Sequence, residues 1–249
     1  MTRHPAQTGA LEDRLRDAGF DVAFLPLTQQ VLPEDLSELT TTIQRLERGD
    51  FHWLLLTSGN TVRALRDCGW DGTVPERTQV GVVGSGTARV LNELSEAHHP
   101  WMPQDHSAAG VLAELPTPAE GSRLLLLQSA KARPELAEGL TTDGWSVTRV
   151  TAYDTVPLDP AAPETLQPIH ITGGDSGDLL TPRDLAEGDI VLITSSSAAR
   201  VWAQLSAPPV TTLAMGQPTA EALTSLGRLP DSVLPEPTAV GVLRALGSS

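Results

Sequence analysis

Cysteine occurs once in this sequence, at Cys68, and lysine once, at Lys131. A lone thiol has no intramolecular disulfide partner, so the chain reads as a protein of a reducing compartment. Cys68 is then a small buried apolar residue and not a nucleophile. Basic residues number 17 against 31 acidic ones, the net charge is −14, and no cluster of Lys and Arg forms a stripe. That balance excludes nucleic acid and anionic membrane as main partners. An anionic small molecule stays open, provided a cleft supplies local donors. Apolar runs fall well short of the ~20 residues that a membrane-spanning helix needs, and the start "MTRHPAQTGA" has no signal-peptide core. Together these readings point to the cytoplasm. What the chain does have is the composition of a folded globular protein: 40% apolar residues with Gly and Pro spread throughout. Its 249 residues suffice for one large domain or two of about 120.

Repeats decide between these. Residues 54–62 read "LLLTSGNTV" and residues 191–199 read "VLITSSSAA", an offset of 137. "LEDRLRDAG" from Leu11 matches "LAEGLTTDG" from Leu136 at an offset of 125. "VGVVGSGTARVLNEL" from Val80 matches "TLAMGQPTAEALTSL" from Thr212, with Gly84 and Thr87 falling on Gly216 and Thr219 at an offset of 132. "SAAGVLAEL" from Ser107 matches "TAVGVLRAL" from Thr238, with Gly110 on Gly241 at an offset of 131. Four blocks in one order with nearly constant offsets make the chain a duplicated unit.

Each block has a physical reading. Leucines at helical spacing followed by Gly mark a helix and its C-terminal stop. A short apolar run meeting Thr and Ser is a buried strand entering a loop whose hydroxyls cap the next helix. Strands alternating with helices at this spacing imply α/β units with parallel sheets covered on both faces. Ligands of such folds settle at the carboxyl ends of the strands. Loops rich in hydroxyls and open helix N–H groups suit an anion there, and two facing copies would form a cleft for one polyanionic ligand.

Other motifs carry less. "GDSG" at 174–177 resembles the serine motif of chymotrypsin-like proteases, but no matching histidine segment accompanies it. "GSGTAR" at 84–89 breaks a dinucleotide fingerprint, because Arg89 stands where the third glycine belongs. A phosphate loop needs Gly before its lysine, and Ala130 precedes Lys131. His98, His99 and His106 lie near Pro100 and Pro103 without ligand spacing and read as surface residues.

"WLLLTSGNTV", "VGVVGSGTARVL", "VTAYDTVP", "VLITSSSAARVW" and "LAMGQPTAEAL", taken in order, resemble the uroporphyrinogen-III synthase family over nearly the whole chain. The resemblance implies two flavodoxin-like α/β domains with parallel sheets, joined by two crossing linkers. Residues 1–27 with 158–249 form one domain and 30–152 the other, with linkers near 26–30 and 153–157; duplication alone would place a boundary near 118. It implies a monomer that acts on hydroxymethylbilane without cofactor or metal and makes transient contact with hydroxymethylbilane synthase. It assigns substrate binding to Arg3, to Thr57, Ser58 and Asn60, to Gly84, Ser85 and Thr87, to Ser129 and Arg133, to Ser195 and Ser196, and to Gly216 and Thr219. Ser129 stands where the family commonly has Gly. Tyr153, the sole tyrosine, falls on the family's residue that helps the terminal hydroxyl leave as water. A phenol ordinarily holds its proton until pH ~10 and suits that task.

Two departures favour an alternative, a non-catalytic tetrapyrrole- or anion-binding module derived from such enzymes. "MTR" keeps only the end of the family's first strand, so that either translation starts upstream or the strand is shortened. The segment from Pro157 to Asp189 is long for a connection and reads as a proline-rich loop with a hairpin through "IHITGGDSGDLL".

Overall fold

The computed structural model describes residues 1–5, 8–158, 169 and 179–247. The hairpin expected at 169–180 therefore lies almost wholly outside the described residues. In chain order the elements begin with α1 (Ala10–Asp17), β1 (Thr28–Val31), α2 (Ser37–Glu47), β2 (Trp53–Leu56), α3 (Gly59–Asp67) and β3 (Gln79–Val82). They continue with α4 (Ser85–Leu94), α5 (Ala108–Glu114), β4 (Arg123–Ser129), α6 (Glu135–Thr142) and β5 (Ser146–Pro157). The last are β6 (Ile190–Ile193), α7 (Ser196–Trp202), β7 (Thr211–Ala214), α8 (Gln217–Ser225), β8 (Ser232–Val233) and α9 (Ala239–Ala245).

These residues fall into two compact units. One holds the described residues of 1–29, 156–158 and 179–247, and the other holds 30–155 and 169. The chain thus changes unit at 29/30 and at 155/156, and Ile169, between the described residues 158 and 179 of the first unit, belongs to the second. The segment expected to be a linker at 153–157 is the end of β5, which runs unbroken to Pro157.

In the 30–155 unit the sheet order is β1-β5-β4-β2-β3, and β2 pairs in parallel with β3 and β4, as β4 does with β5. A parallel bridge from Gly81 to Trp101 adds to the β3 edge. Because side chains alternate across a strand, β2 feeds both faces: Leu54 and Leu56 enter one core cluster with Val62, Leu65 and Leu91, while Trp53 and Leu55 enter another with Leu124, Leu136 and Trp145. All four β2 residues are buried, which is why the strand reads as an unbroken apolar run.

The other unit repeats the order around β6-β7-β8. Met1 and Thr2 lie beside β6, through Thr2 N–H donating to Leu192 O at 3.1 Å, and Leu25 N–H donates to Met1 O at 2.8 Å on the other side. Met1–Thr2 is therefore the counterpart of β4, and the backbone near Phe24 the counterpart of β5. A cavity of about 420 Å³ is lined by residues that include Met1, Val22, Ala23, Ile190 and Val191.

Two repeated glycines show why duplication stayed visible. A Cβ on Gly110 would meet the carbonyl oxygen of Asp105, and one on Gly241 would meet that of Glu236, well inside contact distance in both cases. Each glycine also donates its N–H to the hydroxyl that caps its helix, Ser107 or Thr238, at 3.1 Å. Gly110→Ala and Gly241→Ala are each expected to destabilise their unit by about 1–3 kcal/mol through overpacking. Urea unfolding checks this, and an unchanged midpoint would contradict it.

Candidate functional site

The loops after β2, β3 and β4 leave one end of their parallel sheet. Ser58 is the N-cap of α3, and its Oγ accepts from Asn60 N–H at 3.0 Å. The same Oγ lies 3.0 Å from the Tyr153 hydroxyl. Since β4 sits between β2 and β5 in the sheet, this bond reaches across the end of β4. Two features permit it. The β4–β5 register shifts between Gln128 and Ser129, a bulge that re-aims the strand, and Ala130 N–H donates to Tyr153 O at 2.8 Å beyond it. Tyr153 is 7% exposed and packed among Leu54, Leu56, Leu127 and Val150. It is a sheet residue whose hydroxyl alone is polar.

The direction of the Ser58–Tyr153 bond sets what the phenol can do. When Ser58 donates to Tyr153, the phenolic proton is available to a ligand; when Tyr153 donates, Ser58 accepts two bonds. Thr57 is fastened separately, its Oγ1 donating to Leu127 O at 3.2 Å. Asn60 Oδ1 accepts from Arg63 Nη1 at 3.2 Å.

On the β4 turn, Ser129 Oγ accepts from Lys131 N–H at 3.2 Å. The Lys131 ammonium donates to Thr155 O and lies 3.4 Å from Asp154 Oδ1, so the sole lysine ties this turn to the end of β5. Arg133 is exposed just before α6.

Helices α4 and α8 differ from α3. Their N-caps are Gly84 and Gly216, and no side chain caps either helix. Helix starts carry unsatisfied N–H groups and partial positive charge. Thr87 and Thr219 stand in the first turn, 7% and 5% exposed, and among the described residues neither hydroxyl has a partner. The repeated Gly-x-x-Thr therefore presents an open helix start and a hydroxyl in each unit, a pairing suited to a carboxylate. Ser85 is exposed beside the first of them.

In the second unit Ser195 caps α7, accepting from Ala198 N–H at 3.1 Å. Ser196 Oγ donates to Pro218 O at 2.9 Å and ties α7 to α8. Arg3 is already committed: its guanidinium pairs with Glu12 through Nε at 2.7 Å and through Nη2. Glu12 is fully buried and also accepts from Gly9 N–H at 3.0 Å, satisfying the N-cap backbone of α1.

The residues assigned from sequence thus fall into two sets, one per unit. Glu12 and Arg63 were missed; Arg63 had a signal, because it sits between the core-facing residues Val62 and Ala64 of α3. Cys68 is half-buried against the core, and burial raises its thiol pKa, which fits an inert packing role. His98, His99 and His106 are exposed. Among the described residues no cluster of three or more His, Cys, Asp or Glu residues could hold a metal ion, and no helix is long and apolar enough to cross a membrane.

Comparison with known proteins adds the following. Residues 9–244 match the family model described as Uroporphyrinogen-III synthase HemD. The chain is 27% identical over 212 residues to the chloroplastic uroporphyrinogen-III synthase of Oryza sativa subsp. japonica, covering 83% of this chain and 64% of the rice protein. It is 28% identical over 213 residues to the uroporphyrinogen-III synthase of Synechococcus elongatus, covering 83% of this chain and 73% of that one. Among solved structures it resembles a mutant uroporphyrinogen III synthase from Thermus thermophilus, with TM-score 0.56, 18% identity and coverage of 100% and 98%. The synthetase of Helicobacter pylori gives TM-score 0.57 at 18% identity, with coverage of 90% and 92%. Both structural likenesses concern the fold.

Proposed function

The chain belongs to the uroporphyrinogen-III synthase family, and from that premise we propose that it closes the linear tetrapyrrole hydroxymethylbilane, with inversion of the last ring, to uroporphyrinogen III. The observation that carries the reading is the Tyr153 phenol, held 3.0 Å from Ser58 where β2 and β4 end. Tyr153 donates its proton to the terminal hydroxyl as the C–O bond breaks, so that water leaves and an azafulvene cation remains. The substituted carbon of ring D attacks that cation to form a spiro intermediate, which fragments and recloses. The proton lost on reclosure restores the balance.

The same substrate closes unaided to isomer I, so the main task is to hold one conformation, an effect of positioning. Acetate and propionate groups supply the handles. Open N–H groups at the starts of α4 and α8, with Thr87 and Thr219, suit carboxylates. These donors are local, which reconciles an anionic substrate with a chain of net charge −14. A cytoplasmic location is part of the proposal and rests on the lone, half-buried thiol of Cys68.

The test is the rate at which freshly generated hydroxymethylbilane disappears in chelator-treated, cofactor-free buffer. Saturable consumption faster than spontaneous closure is expected. A rate equal to the protein-free control would contradict the proposal.

A further inference from the structure

Arg63 is 8% exposed, on a helix whose neighbours Thr61, Val62, Ala64 and Leu65 are buried in the core. Among the described residues no carboxylate lies within ion-pair distance of it. Its one acceptor is neutral: Asn60 Oδ1, at 3.2 Å from Nη1. The charged groups that influence it are Glu93 and Arg89, both on α4 and of opposite sign, and burial holds its pKa below the ordinary arginine value. A guanidinium taken out of water without an anion costs several kcal/mol. Arg3, a quarter exposed, is by contrast paired with the buried Glu12.

The remaining N–H donors of Arg63 still reach solvent. Among the described residues the buried side-chain N and O atoms without a partner are Thr61 Oγ1, Gln128 Oε1 and Trp202 Nε1, and no nitrogen of Arg63 is among them. The guanidinium also sits against the first residue of α3: Nη1 is 3.4 Å from where a Cβ on Gly59 would stand, and Val90 Cγ2 is 2.9 Å from that point. Gly59 follows Ser58, the residue that contacts Tyr153. An unpaired, nearly buried cation thus opens to solvent beside the residues assigned to the chemistry.

We propose that Arg63 binds one carboxylate of the substrate, reaching back one turn along α3 to the loop that carries Ser58, with Asn60 as the residue that positions it. The planar fork of an arginine takes a carboxylate through two parallel N–H donors, and Asn60 Oδ1, by accepting a third, fixes the plane. Gly59 leaves room for Val90 of α4 to pack against the start of α3, with Nη1 of Arg63 at contact distance beside it. The inference rests on the synthase reading for the identity of the carboxylate.

Arg63→Met keeps the aliphatic stem and removes the fork. It is expected to raise KM for hydroxymethylbilane about tenfold or more, with kcat changed far less and Tm unchanged or higher, because an unpaired buried charge is gone. Arg63→Lys should recover part of the loss, and Asn60→Ala should raise KM by a smaller factor. Binding of uroporphyrin III, measured by fluorescence titration of wild type and variants, gives a readout separate from turnover. Weaker binding by Arg63→Met supports the inference even if wild type fails to convert substrate, an outcome that would sink only the synthase reading. KM and uroporphyrin binding like wild type in Arg63→Met overturn it, and so does a wild type that binds no uroporphyrin. Should Arg63→Met not fold, Arg63→Lys and Asn60→Ala decide: unchanged KM and binding in both overturn the proposal.

Discussion

Replacing Tyr153 with phenylalanine is expected to lower kcat by roughly 100-fold, the contribution typical of a positioned general acid, while the product stays isomer III. Phenylalanine fills the same space among Leu54, Leu56 and Val150, so the sheet keeps its packing and loses only the bond to Ser58, worth about 1 kcal/mol. Substrate positioning depends on helix starts and hydroxyls elsewhere, so KM should move little. The carbocation still forms unaided, which leaves a residual rate. Initial rates with product isomers resolved check this. A kcat equal to wild type would remove the phenol from the chemistry. Ser58→Ala separates orientation from acidity: it keeps the phenol, removes its partner and the α3 cap, and should give an intermediate rate.

Arg3→Met is expected to destabilise its unit by about 3 kcal/mol, the low end for breaking a buried ion pair because Arg3 is itself a quarter exposed. The cost arises at Glu12, whose carboxylate has no exposure and would keep only the Gly9 N–H. Arg3→Met with Glu12→Leu should recover most of the loss, leaving roughly 1 kcal/mol for the lost bond from Gly9 N–H to Glu12. Urea unfolding of the two single variants and the double variant measures the coupling. Sequence resemblance assigned Arg3 to substrate. An unfolding midpoint like wild type together with a raised KM would contradict the structural role and support that assignment.

The duplication was legible because both halves meet the same local demands. Gly110 and Gly241 each pass a carbonyl that leaves no room for a Cβ. Ser58 and Ser195 each cap a helix entered from a buried strand. Gly19 and Gly144, which end matched helices, both take positive φ. What was not legible depends on contacts distant in sequence. A boundary near 118 is what duplication alone suggests, yet the chain changes unit at 29/30 and 155/156. Between the units the chain runs as β5, which continues to Pro157, across the segment where the family resemblance implies a linker.

The candidate site divides in the same way. Hydroxyls and glycines at strand ends are marked by their neighbours in sequence, so Ser58, Gly84, Gly216 and Thr219 could be named from the chain. Their commitments could not: Thr57 is bonded to Leu127 O, Ser129 to Lys131 N–H and Arg3 to Glu12. Helical periodicity places Arg63 toward the core, but only the folded helix shows its guanidinium turned back to Asn60.

The most direct test of the account is the identity of the isomer. Hydroxymethylbilane generated in place by a deaminase is given to the folded protein, and the oxidised products are separated. The account predicts uroporphyrin III in excess of the isomer I that forms without protein. Isomer I alone, from protein shown to be folded, would contradict it.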